Sequence, residues 1–194
     1  MLHLESKLWV KGYAISMYSK GYDWVEGQDF TELGQAVHKF KYYTSLSTQD
    51  RDKILNFCLI AFKRALEEKF GKEPPFNLIV AAPPNRVGAH SLPPLIAKGL
   101  AEQSGGSLVD VGTSLTKVKD VPVLKNLDST GKATALSGAY LFKANLPEPR
   151  KGILILDDIY DSGATLRFIA RAINVNYPNL PKYVMVLTSL RKNY

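Results

Sequence analysis

Cysteine and histidine are scarce in this chain of 194 residues, which contains one cysteine and three histidines. A structural zinc site takes four such ligands and a disulfide takes two cysteines. The composition therefore argues against a zinc module and excludes an internal disulfide. Cys58 lies in a helical apolar pattern, so we expect a packed thiol rather than a nucleophile, and no ammonia-generating activity from it.

Long apolar runs are also missing. No segment approaches the roughly 20 apolar residues that a membrane-spanning helix needs. Residues 1–5 have neither the cationic start nor the apolar core of a signal peptide. We therefore expect a cytoplasmic protein with no membrane association.

The chain has no long block of one charge, although its 25 lysines and arginines outnumber its 18 acidic residues and give a net charge of +7. A basic excess suits nucleic acid, but it suits an enzyme with a multiply phosphorylated substrate equally well. Charge alone does not decide between them. With 45% hydrophobic residues, the chain has the composition of a globular protein with one core and an appended section.

The most informative segment is Gly152–Leu166, GILILDDIYDSGATL. Its apolar run, residues 153–156, is typical of a strand buried on both faces. The adjacent acids Asp157 and Asp158 follow, and then a short polar turn, residues 161–165. A helical apolar pattern continues beyond the turn at Leu166, Ile169, Ala170 and Ile173. The turn should therefore join the carboxyl end of a strand to a helix N-terminus, where ligands bind in open α/β sheets.

The residue types in this turn suit a phosphate. A helix N-terminus offers unpaired N–H groups and a partial positive charge, Gly163 allows close backbone approach, and Ser162 and Thr165 add hydroxyl donors. Asp157 and Asp158 would repel a phosphate, but they suit sugar hydroxyls or a hydrated Mg²⁺. We therefore predict a clamp for ribose 5-phosphate, in preference to the alternative of a buried strand followed by a merely capped helix.

This segment resembles the phosphoribosyl-pyrophosphate (PRPP) signature of type I phosphoribosyltransferases, although Tyr160 is bulkier than the usual aliphatic residue. The resemblance implies an α/β fold with a mostly parallel sheet flanked by helices. Asp157 and Asp158 would hold the ribose hydroxyls and, through water, Mg²⁺. The turn would cradle the 5-phosphate with Asp161, Ser162, Gly163, Ala164 and Thr165. Asp161 would also be a candidate general base, so the catalytic candidates are Asp157, Asp158 and Asp161.

The rest of the chain divides into an N-terminal helical or hairpin hood, residues 1–72, and a core, residues 73–194. In the hood we expect a strand or hairpin over 8–19, a helix over 31–43 and a longer helix over 47–70. The cations of the first helix, His38, Lys39 and Lys41, are interpreted as a solvated face.

Two segments of the core add candidates for binding the pyrophosphate. The loop after its first strand carries Pro84, Asn85 and Arg86, and the resemblance implies that this loop grips the pyrophosphate. Residues 112–136 show almost no apolar periodicity, so we expect a flexible lid. Its lysines Lys117, Lys119 and Lys125 would close on a charged substrate.

The wider layout is similar to the ComF-like family of predicted amidophosphoribosyltransferases. The matching pieces are Glu32–Gly34, Lys39–Tyr42, Ala82–Arg86, Lys117–Asp120 and Ser137–Tyr140. The chain lacks the four-cysteine module common in that family, and it has Lys132 and Ala135 where Arg and Asn are usual.

The resemblance implies Mg²⁺-dependent transfer of ribose 5-phosphate from PRPP to a nitrogen acceptor that the sequence does not identify. Two alternatives stay open. One is a non-catalytic accessory protein that binds single-stranded DNA or a helicase, and the other is a regulator that senses PRPP without turnover. A homodimer also stays open.

Overall fold

The computed structural model of the chain describes residues 1–20, 29–84, 91–119, 127, 129–143 and 145–190. Its strands are β1 (Leu2–His3), β2 (Lys11–Met17), β3 (Leu78–Ala81), β4 (Val109–Asp110), β5 (Leu115–Lys117), β6 (Tyr140–Phe142), β7 (Ile153–Tyr160) and β8 (Lys182–Ser189). Its helices are α1 (Glu32–Tyr42), α2 (Thr48–Phe70), α3 (Leu92–Gln103), α4 (Ser129–Leu136) and α5 (Ala164–Asn176). A short 3₁₀ helix spans Gly112–Ser114.

Six strands form the central sheet in the order β1-β2-β8-β7-β3-β4, and β5 and β6 form a separate antiparallel pair. Within the central sheet only β1 runs antiparallel to its neighbour. The predicted α/β class, with a mostly parallel sheet flanked by helices, is therefore confirmed. The sequence did not predict that the N-terminal section would supply two strands, β1 and β2, to this sheet.

Helices cover both faces of the sheet, and the alternation of side chains along β7 shows why. Successive strand side chains point to opposite faces. Leu154 and Leu156 pack in one core cluster with residues of α1, α2 and α3. Ile153 and Ile155 pack in the other cluster with residues of α5 and of the β5–β6 pair. A strand buried on both faces reads as a continuous apolar run, as the sequence indicated.

The neighbouring strands β3 and β7 send their connections in opposite directions. β3 and β7 are parallel neighbours, with Leu78 opposite Ile153 and Ala81 opposite Leu156. From β3 the chain continues to α3 on one face, while from β7 it continues to α5 on the other. Where connections diverge from adjacent carboxyl ends, a crevice opens, and ligands of parallel α/β sheets bind in such crevices.

The long helices begin and end as the sequence predicted. Ser47 caps α2 by accepting a hydrogen bond from the Asp50 N–H at 3.1 Å, and Gly71 ends that helix with a φ of 72°. Thr31 caps α1 in the same way through the Gly34 N–H at 3.0 Å. These boundaries follow from local chemistry that is readable in the sequence.

The predicted lid, residues 112–136, is not irregular throughout. It begins with the 3₁₀ helix and β5, and it ends with α4; residues 120–126 and 128 lie outside the described residues. β5 is held by pairing with β6, and α4 contacts α5. Strands and helices this short are too brief to show a periodic apolar pattern, and they are held by contacts with distant segments. The sequence therefore did not reveal them.

Gly34 fixes the position of α1 against the sheet. A Cβ on this residue would collide with the carbonyl oxygen of Tyr18, just beyond β2, and would meet the Thr31 hydroxyl at 3.0 Å. Thr31 in turn donates its hydroxyl to the Met17 carbonyl. The absent side chain therefore lets α1 lie directly on the end of β2.

We predict that Gly34→Ala lowers the free energy of unfolding by about 1–3 kcal/mol, because an extra methyl cannot be accommodated against backbone atoms. Gly99→Ala is the matched control, since Gly99 is also inside a helix but faces the movable δ-methyl groups of Leu59 at 2.9 and 3.0 Å. Helix propensity alone favours alanine by about 1 kcal/mol at both positions. Chemical denaturation measures the difference, and equal effects of the two substitutions would contradict this account.

Candidate functional site

The acid pair lies inside β7 rather than after it, because the strand continues to Tyr160. Asp157 and Asp158 therefore stand at successive positions of an extended chain, near the carboxyl end of the sheet. Asp158 is 8% exposed and reaches α1, whereas Asp157 is partly exposed and interacts with Tyr140 of β6. The two acids thus reach groups that different elements supply.

Lys41 holds Asp158 through both carboxylate oxygens. Its Nζ donates to Oδ1 at 3.1 Å and to Oδ2 at 3.0 Å. Burial lowers the pKa of Lys41, but Asp158 and Asp157 raise it by more, and the pKa ends above its usual value. Thr188 of β8 adds a backbone restraint, since its hydroxyl donates to the Asp158 carbonyl at 3.1 Å. Asp158 is therefore fixed at its side chain and at its backbone.

The pKa of the Asp157 carboxyl is raised, so this group loses its proton less readily than an ordinary aspartic acid. Burial is the largest cause and the Asp158 carboxylate is the second, and together they raise the pKa of Asp157 to about 7. Lys41 and the Asp158 N–H, which donates to Asp157 Oδ1 at 2.8 Å, act in the opposite direction. The two carboxylates therefore repel each other when both are charged. Hydrogen-bond donors of a ligand, or a cation bound with it, would reduce that repulsion.

The turn after β7 exposes the N-terminus of α5. Gly163 stands at the N-cap with a left-handed φ of 68°, and it makes no side-chain cap hydrogen bond. Within the described part of the chain, no hydrogen bond donated by the N–H groups of Ser162, Gly163, Ala164 or Thr165 is seen. A helix N-terminus with uncapped amides is an anion-binding arrangement.

The Tyr160 ring packs directly against Gly163 of this turn. A Cβ on Gly163 would stand 2.5 Å from the Tyr160 hydroxyl and 2.7 Å from its ring. Gly163 is therefore required twice, for its left-handed backbone and for the close approach of the ring. The bulky Tyr160 side chain is thus accommodated by packing against the glycine of the turn.

Tyr140 joins the β5–β6 pair to the same turn. Burial is the main reason that the pKa of Tyr140 rises to about 12, and the Asp157 charge raises it further. A side-chain interaction with Thr165 works in the opposite direction. Thr165, a predicted phosphate ligand, therefore already has a protein partner.

Most of the predicted site residues lie on one continuous segment formed by β7, the turn and the start of α5. They are Asp157, Asp158, Asp161, Ser162, Gly163, Ala164 and Thr165. Pro84 follows β3, the adjacent strand, whereas Asn85, Arg86 and the lid residue Lys125 lie outside the described residues.

The two lid lysines that the structure describes lie at and just beyond the end of β5. Lys119 donates from its Nζ to the Ser137 carbonyl at 3.0 Å, and Lys117 lies opposite Tyr140 in the β5–β6 pair. Both are therefore tied to the base of the lid segment.

The interpretation of the α1 cations as a solvated face is wrong for two of them. Lys41 binds Asp158, and the His38 Nδ1 forms a hydrogen bond with the Tyr18 hydroxyl at 2.8 Å. The helical period does contain a signal for Lys41, because this residue is four positions beyond the buried Val37 and shares its face. Tyr18 and Tyr140 gave no such signal, since their contacts depend on distant segments.

Cys58 is buried in α2. Burial raises the pKa of the Cys58 thiol to about 12, in accordance with the packed cysteine that was expected. Within the described ranges there is no cluster of three or more histidine, cysteine or acidic residues suited to a metal. No helix among the same residues has the length and apolarity to cross a membrane.

Comparison with known proteins adds no relative. The chain matches no protein-family model and no curated protein.

We predict that Asp157→Asn stabilises the metal-free protein at pH 8 by about 1–3 kcal/mol, because one pKa unit corresponds to about 1.4 kcal/mol. The raised pKa of Asp157 means that the wild type loses stability between its unfolded pKa, 3.8, and about 7. The gain should therefore be small near pH 4 and complete above pH 7. Denaturation across this range measures it.

Asp52→Asn, on the exposed face of α2, controls for the loss of one surface charge and should leave stability within about 0.5 kcal/mol. A pH-independent loss of stability in Asp157→Asn would show that the ionised acid supports the fold and is not strained by it.

Proposed function

We propose that the protein binds PRPP and transfers its ribose 5-phosphate to a nitrogen acceptor with release of pyrophosphate, on a fold of the type I phosphoribosyltransferase class. One observation carries the proposal. The uncapped α5 N-terminus with its left-handed Gly163 stands directly after the strained acid pair, at the edge where β3 and β7 send their connections apart. A helix N-terminus suited to an anion and an acid pair suited to hydroxyls thus lie on one continuous segment.

The phosphate half of the ligand suits the turn. The N–H groups of Ser162 to Thr165 would donate to phosphate oxygens, and the α5 dipole favours the negative charge. The Ser162 hydroxyl adds a donor. The nearby acids do not compete for this group, because like charges repel.

The ribose half suits the acid pair. Hydroxyls donate to carboxylates and bring no negative charge, so a diol lowers the free energy of ionised Asp157 and Asp158 without adding repulsion. Of these, Asp158 already accepts hydrogen bonds from the Lys41 ammonium group. A neutral ligand with two adjacent hydroxyls therefore fits better than a second anion.

The carboxylates of Asp157 and Asp158 suit Mg²⁺ only when the substrate supplies further oxygen ligands. Mg²⁺ usually binds through one or two carboxylates, several waters and substrate phosphates. Asp157 and Asp158 would hold it through water, and it would neutralise the pyrophosphate as that group leaves. Pro84 follows β3 along the chain, and we propose that it and the adjoining Asn85 and Arg86 contact the pyrophosphate.

The proposed reaction is a displacement at the ribose C1. The bond from C1 to the pyrophosphate oxygen breaks and its electron pair leaves with pyrophosphate, while the acceptor nitrogen forms a bond to C1. The nitrogen loses a proton, for which Asp161 is the proposed base. Positive charge that develops on the ribose ring would be stabilised by the adjacent acids.

A second candidate function draws on the surface near α1. Tyr42 and Tyr43 are 53% and 48% exposed, and exposed aromatic rings on a basic protein suit the stacking of unpaired bases. This would correspond to a non-catalytic accessory protein that binds single-stranded DNA or a helicase. Oligonucleotide affinity that falls steeply with salt would support this function, and salt-insensitive or undetectable binding would exclude it.

We expect calorimetry to show PRPP binding that requires Mg²⁺, and the double variant Asp157→Asn, Asp158→Asn to weaken it at least about 100-fold, since two charged hydrogen-bond acceptors are lost. The control is Glu67→Gln, Glu68→Gln, an adjacent pair of exposed acids on α2. Undiminished affinity in the acid-pair variant would contradict the proposal. Pyrophosphate release with a panel of bases and amines then separates an enzyme from a PRPP-sensing regulator.

We expect Gly163→Ala to weaken ribose 5-phosphate binding by about tenfold or more, because the new Cβ meets the Tyr160 ring and displaces the amides of the turn. Gly105→Ala imposes a similar backbone strain at a φ of 61°, but nothing lies within 4 Å of its Cβ. Calorimetry of both variants separates loss of the turn from general strain. If Gly163→Ala and Gly105→Ala bound ribose 5-phosphate with the same affinity, the turn would not be the phosphate site.

A further inference from the structure

Lys41 approaches the acid pair from an element that does not belong to the strand, the turn or α5. It lies in the last turn of α1, and its side chain is 33% exposed while that of Asp158 is 11% exposed. Gly34 and Thr31 fix the start of the same helix on the end of β2. The position of the Lys41 ammonium group is therefore set by the packing of a whole helix.

The bond pattern leaves Asp158 able to bind a ligand. A carboxylate offers about four lone-pair sites, two on each oxygen. Lys41 uses one on Oδ1 and one on Oδ2, so each oxygen keeps capacity for a hydroxyl. The two contacts also stop the carboxylate from rotating, and Thr188 holds the backbone of the same residue.

Charge gives Lys41 a second effect. The neighbouring carboxylates of Asp157 and Asp158 repel each other, and Lys41 is the cation in contact with one of them. For a largely buried ion pair, the cost of removing both charges from water offsets much of their attraction, so the pair is weak evidence for a role in stability. Its place near the carboxyl end of β7 fits a role in binding.

We propose that Lys41 is a positioning residue of the ribose site, which orients Asp158 toward the two ribose hydroxyls and offsets one negative charge of the acid pair. The inference rests on the proposed function, because it assigns the hydroxyl half of that ligand to the acids. It predicts that Lys41 affects the affinity for the sugar and not the affinity for the phosphate, because the phosphate would be held separately by the turn before α5.

The test compares three ligands in calorimetry at constant Mg²⁺: PRPP, ribose 5-phosphate and inorganic phosphate. Lys41→Met should weaken PRPP and ribose 5-phosphate by about 10- to 30-fold, in proportion to the loss of one charge-assisted contact. Its affinity for inorganic phosphate should stay within twofold of the wild type. Lys41→Arg, which keeps the charge and can pair with both oxygens, should recover most of the loss.

Lys39→Met is the matched control, because Lys39 lies on the same helix two residues earlier and should leave all three affinities within twofold. Equal loss of phosphate and sugar ligands in Lys41→Met would overturn the inference, since that would indicate a general structural effect. Tighter sugar binding would also overturn it, because Lys41 would then compete with the hydroxyls.

The proposal stays testable if Lys41→Met folds poorly. In that event Lys41→Arg and Lys41→Gln decide, and a Lys41→Gln variant that is folded by circular dichroism and binds ribose 5-phosphate like the wild type would overturn it. Failure of the proposed function is a different result, in which the wild type itself binds neither PRPP nor ribose 5-phosphate.

Discussion

Two neighbouring carboxylates at the end of a buried strand repel each other, and the arrangement around them depends on how that repulsion is contained. Lys41 offsets Asp158, while Asp157 responds with a raised pKa instead of a cation of its own. Such strain is costly to the fold and has no evident structural benefit. Strain of this kind is often found at binding sites, where a ligand relieves it.

Three separate elements contribute groups near the carboxyl end of β7, and each has a physical reason to be there. β7 lies between β8 and β3 and carries the acids near its carboxyl end, the edge at which parallel α/β sheets generally bind ligands. α5 begins directly after the turn, so its uncapped amides face the same edge. α1 brings Lys41 because Gly34 lets the helix lie against the end of β2. The site therefore depends on long-range packing as much as on the signature segment.

The sequence predicted the local features of the fold well, because they follow from local chemistry. The apolar run of β7, the glycine of the turn and the caps of α1 and α2 can each be recognised within a few residues. Contacts between distant segments were missed. Lys41 was assigned to a solvated face, although its spacing from the buried Val37 places both residues on the same face of α1. Tyr140 comes near Asp157 only because β5 pairs with β6. Such partners need the topology, which a single sequence does not contain.

The central claim is that the turn binds a sugar phosphate through its backbone amides while the acids bind its hydroxyls. The most direct test is a titration of ¹⁵N-labelled protein with ribose 5-phosphate, followed in amide NMR spectra, with ribose and inorganic phosphate as the half-ligands. We expect saturable shifts at Ser162 to Thr165 with ribose 5-phosphate and with phosphate, and shifts at Asp157 and Asp158 only when the sugar is present. Saturable binding that leaves all of these amides unmoved would contradict this claim.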